Sequence, residues 1–338
     1  MLTTRTAARR WKLTGQARAI AAAFALSLVA ITAAPALAQG EAWPTRPLRL
    51  VVPFPAGGSN DIAARVLAPK LSAALGQNVV VENRAGASGS IGVDNVAKSP
   101  PDGYSIVLTA PGAVAINQHF RKLPYDIDKD LAPISVLGTV PTLVAVNAAI
   151  PVRTPAEFVA WAKKQPESIS MSVSGTGSQT HLASELLAAT AGYKMVAVAY
   201  KGTQPAATAI ASGEVPAGIS DLTTLQPLIK SGRVRAIGVV DARSPTNAPE
   251  ILPMATVLPG FLASGWIGLL TTGGTPAAIV QRLNAEVVKA MALPEVRDAF
   301  ITAGLEPASS TPEEFGSFLR TESAKWGKVI NDNNIKAE

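Results

Sequence analysis

Leu48-Arg49-Leu50-Val51-Val52, then Pro53-Phe54-Pro55-Ala56-Gly57-Gly58-Ser59-Asn60-Asp61, then Ile62 to Leu75 form one continuous run. The first piece is short, apolar and rich in β-branched residues, which predicts a strand. The second is a glycine-rich loop. The third carries Ile62, Val66, Leu67, Leu71 and Leu75 at helical spacing and stops at Gly76. Pro69 inside it predicts a kink, or a break into two short helices. Val79 to Val81 then reads as a buried parallel strand. A second glycine loop, Ala85-Gly86-Ala87-Ser88-Gly89-Ser90-Ile91-Gly92, leads into a helix ending near Ala97. A turn at Pro100 to Gly103 precedes a strand from Ser105 to Leu108. This β-α-β-α-β order argues for a doubly wound parallel sheet, in which ligands bind beyond the carboxyl ends of the strands.

The pattern restarts after Pro141 to Asn147, which reads as a longer strand. Thr154-Pro155-Ala156-Glu157 has the form of a capping box and starts a helix through Phe158 and Trp161. A strand over Ile169 to Val173 feeds the small-residue loop Ser174 to His181, which opens another helix. Met195 to Ala199 is a strand, followed by Tyr200-Lys201-Gly202-Thr203-Gln204-Pro205 and a helix that Gly213 ends. Ala217 to Ile219 and Ala236 to Val240 read as strands around a helix from Leu222 to Lys230. Gly265 to Thr271 is another long apolar strand. Thr275-Pro276 and the capping box Thr311-Pro312-Glu313-Glu314 each start a helix. The expected fold is therefore α/β, with two doubly wound lobes joined by two crossing strands. Residues 39–140 and 263–338 would form lobe 1, and residues 141–262 lobe 2. Such a pair of strands is a natural hinge.

Residues 1–38 read as a leader. Arg5, Arg9, Arg10, Lys12 and Arg18 precede an apolar run from Ala19 to Pro35, and Ala36-Leu37-Ala38 fits a small-residue cleavage site. That is the form of a secretory signal peptide, which predicts export of the mature chain. The five basic residues belong to a total of 30, whereas none of the 24 acidic residues lies in the leader. The remainder thus carries a net charge of only +1, and a nucleic-acid partner loses its support. With no cysteine, the chain has no disulfide, thiolate metal site or cysteine nucleophile.

Enzymatic chemistry finds little material. His119 and His181 are the two histidines. Ser178 lies three residues before His181, on one helical face, which leaves a secreted serine hydrolase as an alternative. The loop lacks the G-x-S-x-G elbow, and His181 is better read as a helix-start residue in a polar cleft. No H-E-x-x-H or acid/histidine cluster suggests a metal, and Gly86, Gly89 and Gly92 do not have dinucleotide spacing. No cofactor is expected. One glycine loop is an ordinary strand-to-helix turn, but three in front of three helices point to a ligand cleft that captures an anion on backbone amides. Asp61 reads equally as a helix-start acid or as a ligand contact, Phe54 as a pocket wall, and Trp161, Trp266 and Trp326 as core or hinge packing.

The motifs also carry a resemblance. Pro53 to Asp61 resembles the P-F-x-x-G-G-x-x-D loop of the Bug-type periplasmic solute-binding proteins, the receptors of tripartite tricarboxylate transporters. Val81-Glu82-Asn83-Arg84-Ala85-Gly86-Ala87 is similar to their V-E-N-R-x-G-A segment. Pro101 to Tyr104, Leu123 to Asp126, Gly177 to Leu182, Tyr200 to Gly202, Gly273 to Ala277 and Lys325 to Gly327 extend the likeness across residues 43–330. The resemblance implies a venus-flytrap receptor without catalysis, a monomer that hands a small organic carboxylate to membrane transporter subunits. A sensor of the same fold stays open as an alternative use. By position, Phe54, Ala56, Gly57, Gly58, Ser59 and Asp61 would border one carboxylate, with Ala87 and Ser88 on the second loop. Ser178, Thr180, His181, Tyr200 and Lys201 would face it from the other lobe. The family's V-D-x-x-F-D becomes Val215 to Ser220 here, with the acid at Asp221 instead, so the distal pocket and the identity of the acid stay open.

Overall fold

The structure is a computed structural model that describes residues 43–336. The leader expectation falls outside these residues. The body beginning at Arg46 holds two sheets, each flanked by helices.

The first sheet is built on β1 (Leu48–Val52), β2 (Val79–Asn83) and β3 (Ser105–Thr109), with α1 (Ser59–Leu75) and α2 (Ser90–Ala97) between them. β1 runs parallel to both β2 and β3. Three further strands complete it: β4 (Leu131–Val140), β10 (Gly265–Thr272) and β11 (Glu306–Pro307), in the order β11-β4-β10-β3-β1-β2. β10 is antiparallel to both β3 and β4, so the sheet is mixed.

The second sheet has the order β7-β6-β8-β5-β9, from β5 (Thr142–Asn147), β6 (Ile169–Val173), β7 (Met195–Ala199), β8 (Ala217–Asp221) and β9 (Val234–Val239). β6 is parallel to β7 and β8, while β5 is antiparallel to β8 and β9. Its helices are α3 (Pro155–Lys163), α4 (Gln179–Ala191), α5 (Thr203–Ser212) and α6 (Leu222–Lys230). α7 (Ala277–Ala292), α8 (Pro294–Thr302) and α9 (Pro312–Asp332) close the chain.

Only Pro141 separates β4 of one sheet from β5 of the other. Chain crossing is therefore narrower than a whole strand. Around it, Leu222 donates its N–H to Pro141 O at 2.8 Å, and Val240 donates to Thr142 O at 2.9 Å. The return passes through Ala263, whose N–H reaches Val240 O at 2.9 Å.

Several local expectations change. α1 runs unbroken through Pro69. That residue is exposed, so the carbonyl deprived of its donor lies on the solvent side, where water can replace the bond. Val79 to Val81 is not a buried strand: β2 is an edge, and Val80 is half-exposed. Glu157 completes no capping box, since its carboxylate takes the N–H of Arg153 while Thr154 Oγ1 accepts from Glu157 N. Thr275 likewise donates to Thr272 O instead of capping α7. Thr311 and Glu314 do form the reciprocal box at the start of α9. β4 was not foreseen; with Pro133 and Gly138 in it, its sequence lacks strand punctuation, and it is held by its long pairing with β10.

Candidate functional site

Six parallel strands, three from each sheet, end at one cavity. The loops after β1, β2 and β3 bring Phe54 to Ala56 with Gly58 to Asn60, Ser88, and Ala110 to Gly112. The ends of β6, β7 and β8 bring Ser174, Ser178 to Thr180, Gly202 to Pro205, and Asp221. Val140, Gly265 and Trp266 supply the floor beside the crossing. The space is about 700 Å³ counted with its open mouth.

Helix starts dominate this wall. α1 begins at Gly58, α5 at Gly202 and α4 at Ser178. The first few N–H groups of any helix have no partner within it and carry the positive end of its dipole. A serine or aspartate cap ordinarily satisfies one of them. Ser178 does so, accepting from His181 N at 3.2 Å. Gly58 and Gly202 have no side chain with which to do it. Two uncapped helix ends, one from each lobe, therefore border the same cavity. They nearly touch: a Cβ placed on Gly58 would stand 3.3 Å from Thr203 Oγ1. Asn60, in the first turn of α1, is buried in the cavity wall with its Nδ2 unpartnered.

Hydrogen bonds already join the two sides of the cleft. Ser59 Oγ donates to Asp221 Oδ2 at 2.6 Å, and Ser88 Oγ donates to Thr176 O at 2.6 Å. Ser88 holds a left-handed φ of 52° to do so. The lobes are thus in contact, in a closed arrangement.

Phe54, Ala56, Gly58, Ser59, Ser88, Ser178, Thr180 and Asp221, foreseen in the sequence, line this cavity. The other foreseen residues do not. Asp61 is buried behind the loop, where its carboxylate accepts from Gly57 N at 3.0 Å, Arg65 Nε at 2.9 Å and Asn83 Nδ2 at 2.9 Å. Burial works to raise its pKa, but these donors outweigh it and hold the carboxyl below its ordinary value. Asp61 thereby resolves as the brace of the loop, and Gly57 N is spent on it. Gly57, with φ 86°, makes the turn that only glycine adopts without strain. Ala87 is exposed, and its carbonyl accepts from Arg121 Nη2 at 3.0 Å. Tyr200 turns away to donate to Glu214 Oε1 at 2.7 Å, and Lys201 is exposed.

His181 is buried, with Nδ1 accepting from Gly177 N at 3.1 Å and Nε2 lying 3.7 Å from Glu185 Oε1. Ser178 Oγ meets the backbone N–H of His181, and its other neighbour is Thr180 Oγ1 at 3.0 Å. Both ring nitrogens are directed at groups other than Ser178, so the pair is a helix cap and not a nucleophile with its base. His119 packs on α9, with Nε2 3.0 Å from Ser323 Oγ.

The sequence reading missed other wall residues. Ala110 to Gly112 follow a strand end and could have been found by the rule that ligands bind there. Trp266 lines the cavity while its Nε1 donates to Glu322 Oε2 at 3.0 Å. Asn60 and Gln179 are first-turn residues of the helices just described. Among the described residues no cluster of acids and histidines could hold a metal, and no helix is long and apolar enough to cross a membrane.

Comparison with known proteins agrees with this architecture. Residues 63–335 match the family model described as the tripartite tricarboxylate transporter family receptor. Protein BugT of Bordetella pertussis is 35% identical over 302 residues, covering 88% of this chain and 92% of its own. A Rhodopseudomonas palustris protein solved with adipate is 34% identical, with a TM-score of 0.84 over 87% of this chain and 99% of that one. MatC from the same organism, with bound malate, is 28% identical, with a TM-score of 0.78 over 85% and 100%.

Proposed function

The chain belongs to the tripartite tricarboxylate transporter family of receptors, and we propose that it captures a small organic carboxylate in the periplasm and presents it to the membrane subunits of such a transporter. The observation that carries this reading is the pair of uncapped helix ends at Gly58 and Gly202, facing one cavity from opposite lobes. Among the described residues no lysine, arginine or histidine lines that cavity. Backbone N–H groups are then the positive elements there, and they suit a carboxylate. The adipate and malate held by two related structures are of that chemical class.

On this reading Phe54, Ala56, Gly58, Ser59 and Ser88 meet the ligand from lobe 1, and Ser178, Thr180 and Asp221 from lobe 2. Lobe 1 comprises residues 39–140 and 263–338, and lobe 2 comprises 141–262. The protein needs no cofactor, works as a monomer and performs no catalysis. Its work is closure, with Pro141 and the return near Ala263 as the hinge. A leader read from residues 1–38 would be removed on export.

A thermal-shift screen of organic acids on the purified protein tests the reading, because a ligand that binds the native state raises its melting temperature. At least one carboxylate is expected to raise it, and small-angle scattering should show a smaller radius of gyration with that acid at saturation than without it. If no carboxylate shifts the melt, or if esters are turned over and Ser178→Ala abolishes the turnover, the receptor reading fails.

A further inference from the structure

Asp221 is the one ionisable side chain, among the described residues, in the wall of the cavity. It sits at the end of β8 and at the head of α6, yet it makes no side-chain capping bond to that helix. It is 7% exposed, and its carboxylate has a single hydrogen-bond partner, Ser59 Oγ on Oδ2. Ser59 opens α1, whose uncapped amides stand ready for an anion. The anion site and the buried acid are therefore neighbours across one hydroxyl.

This juxtaposition is a problem for a plain carboxylate. A ligand anion on the α1 amides would lie beside a second, buried negative group, and like charges disfavour one another's ionised form. A second ligand carboxylate would find no cation in the wall to receive it. A cation close to the ligand carboxylate removes both difficulties. Resting on the receptor reading above, we propose that the ligand is an α-amino acid, its carboxylate on the amides that begin α1 and α5 and its ammonium on Asp221. Phe54, Val140 and Trp266 then offer its side chain an apolar wall. Burial pushes the Asp221 carboxyl up to about 6, with the Ser59 hydroxyl opposing it, and a bound ammonium would reverse that rise.

The test uses matched pairs on the purified protein at pH 7.5: L-norvaline against pentanoate, L-leucine against 4-methylpentanoate, and L-glutamate against glutarate. Calorimetry reads each affinity for the wild type and for Asp221→Asn, which keeps an acceptor for Ser59 while losing the charge. A charge-assisted hydrogen bond to the ammonium makes at least one amino acid bind about tenfold to a hundredfold more tightly than its deaminated partner. That preference should vanish in the variant, whose ligand-free melting curve shows that it folds. If the deaminated acids bind as tightly as the amino acids, or if the preference survives in the variant, the ammonium assignment is wrong and the receptor reading stands. If neither member of any pair binds, and no organic acid shifts the melt either, the receptor reading itself fails and the assignment falls with it.

Discussion

Ser59 and Asp221 are joined by a 2.6 Å hydrogen bond although they stand 162 positions apart, Ser59 on the helix that follows β1 of the first sheet and Asp221 at the end of β8 in the second. Ser59 donates and the carboxylate accepts, so the bond links the first turn of α1 to the end of β8 across the cleft. The bond holds the two sides of the cleft together, and the acid in it carries a cost that depends on pH.

That cost gives the first prediction. Burial raises the Asp221 pKa from 3.8 to about 6, so the closed, folded form holds a proton over a range in which the unfolded chain has lost it. Stability from this group is therefore fully present at low pH and declines as pH rises from about 4 to about 6. Asp221→Asn removes the titration. The variant should be more stable than the wild type at pH 7.5 without ligand, by about 1–3 kcal/mol, the upper end being two pKa units. Chemical denaturation at pH 7.5 and at pH 4 should show the difference shrinking at the lower value. A difference that is the same at both pH values would mean that the Asp221 carboxyl is not raised.

Gly58→Val should weaken ligand capture with little effect on folding. Gly58 itself has φ −84°, so no left-handed backbone is at stake, unlike at Gly57. The obstacle lies across the cleft, where a Cβ would stand 3.3 Å from Thr203 Oγ1 and a branched side chain would need more room. The lobes would be held apart, and the N–H groups of α1 would be crowded at the same time. One lost charge-assisted hydrogen bond costs about tenfold to a hundredfold in affinity. Calorimetry with an acid found in the screen, beside a melt without it, separates the two effects; unchanged affinity would remove this loop from the site.

Asp61→Ala should damage both folding and binding. Gly57 N and Asn83 Nδ2 would each lose an acceptor, and Arg65 its ion-pair partner. These donors stand on exposed residues that water can reach, so the loss of stability should be modest, on the order of 1 kcal/mol. The loop before α1 would then sample other shapes. Because its folded pKa is held down, the carboxylate contributes stability above about pH 4, and that contribution is lost as pH falls below this value. The wild-type advantage over Asp61→Ala, followed by urea denaturation, should therefore be larger at pH 7 than at pH 3. An advantage that grows on acidification would contradict the brace.

The strand-loop-helix units were legible because their signals are local. Apolar runs, glycine stops and the Thr311–Glu314 box each need only a few neighbouring residues. Position after a strand end located the loops, and from them Gly58, Ser59 and Ser178. What failed was whatever depends on a partner far along the chain. β4 exists through pairing with β10, and β2 became an edge because no strand covers its far side. Asp61 and His181 look like site residues in sequence, yet each is consumed by a nearby backbone N–H, Gly57 and Gly177 respectively. Trp266 reads as packing alone in the sequence, since nothing local shows that β10 runs past the cavity.

Trp266 also supplies the last prediction, which concerns how the floor of the cavity is held. Its Nε1 donates to Glu322 Oε2 at 3.0 Å, and Trp326 Nε1 donates to the same oxygen at 3.2 Å. Phe315 and Phe318 meet the Trp266 ring edge-on, with centroids 5.7 and 5.3 Å away. Glu322 is itself buried, with Lys325 Nζ 2.5 Å from Oε1. Glu322→Ala would leave two buried indole donors without an acceptor, at a cost of about 1–3 kcal/mol each. It would also release the ring that forms the cavity floor, so affinity for a captured acid should fall together with stability. Glu322→Gln keeps an acceptor oxygen of the same reach and should retain most of both. Urea denaturation and calorimetry on the two variants decide the matter. If Gln is as damaging as Ala, the Lys325 ion pair matters more than the indole bonds; if neither variant loses affinity, the floor does not depend on Glu322.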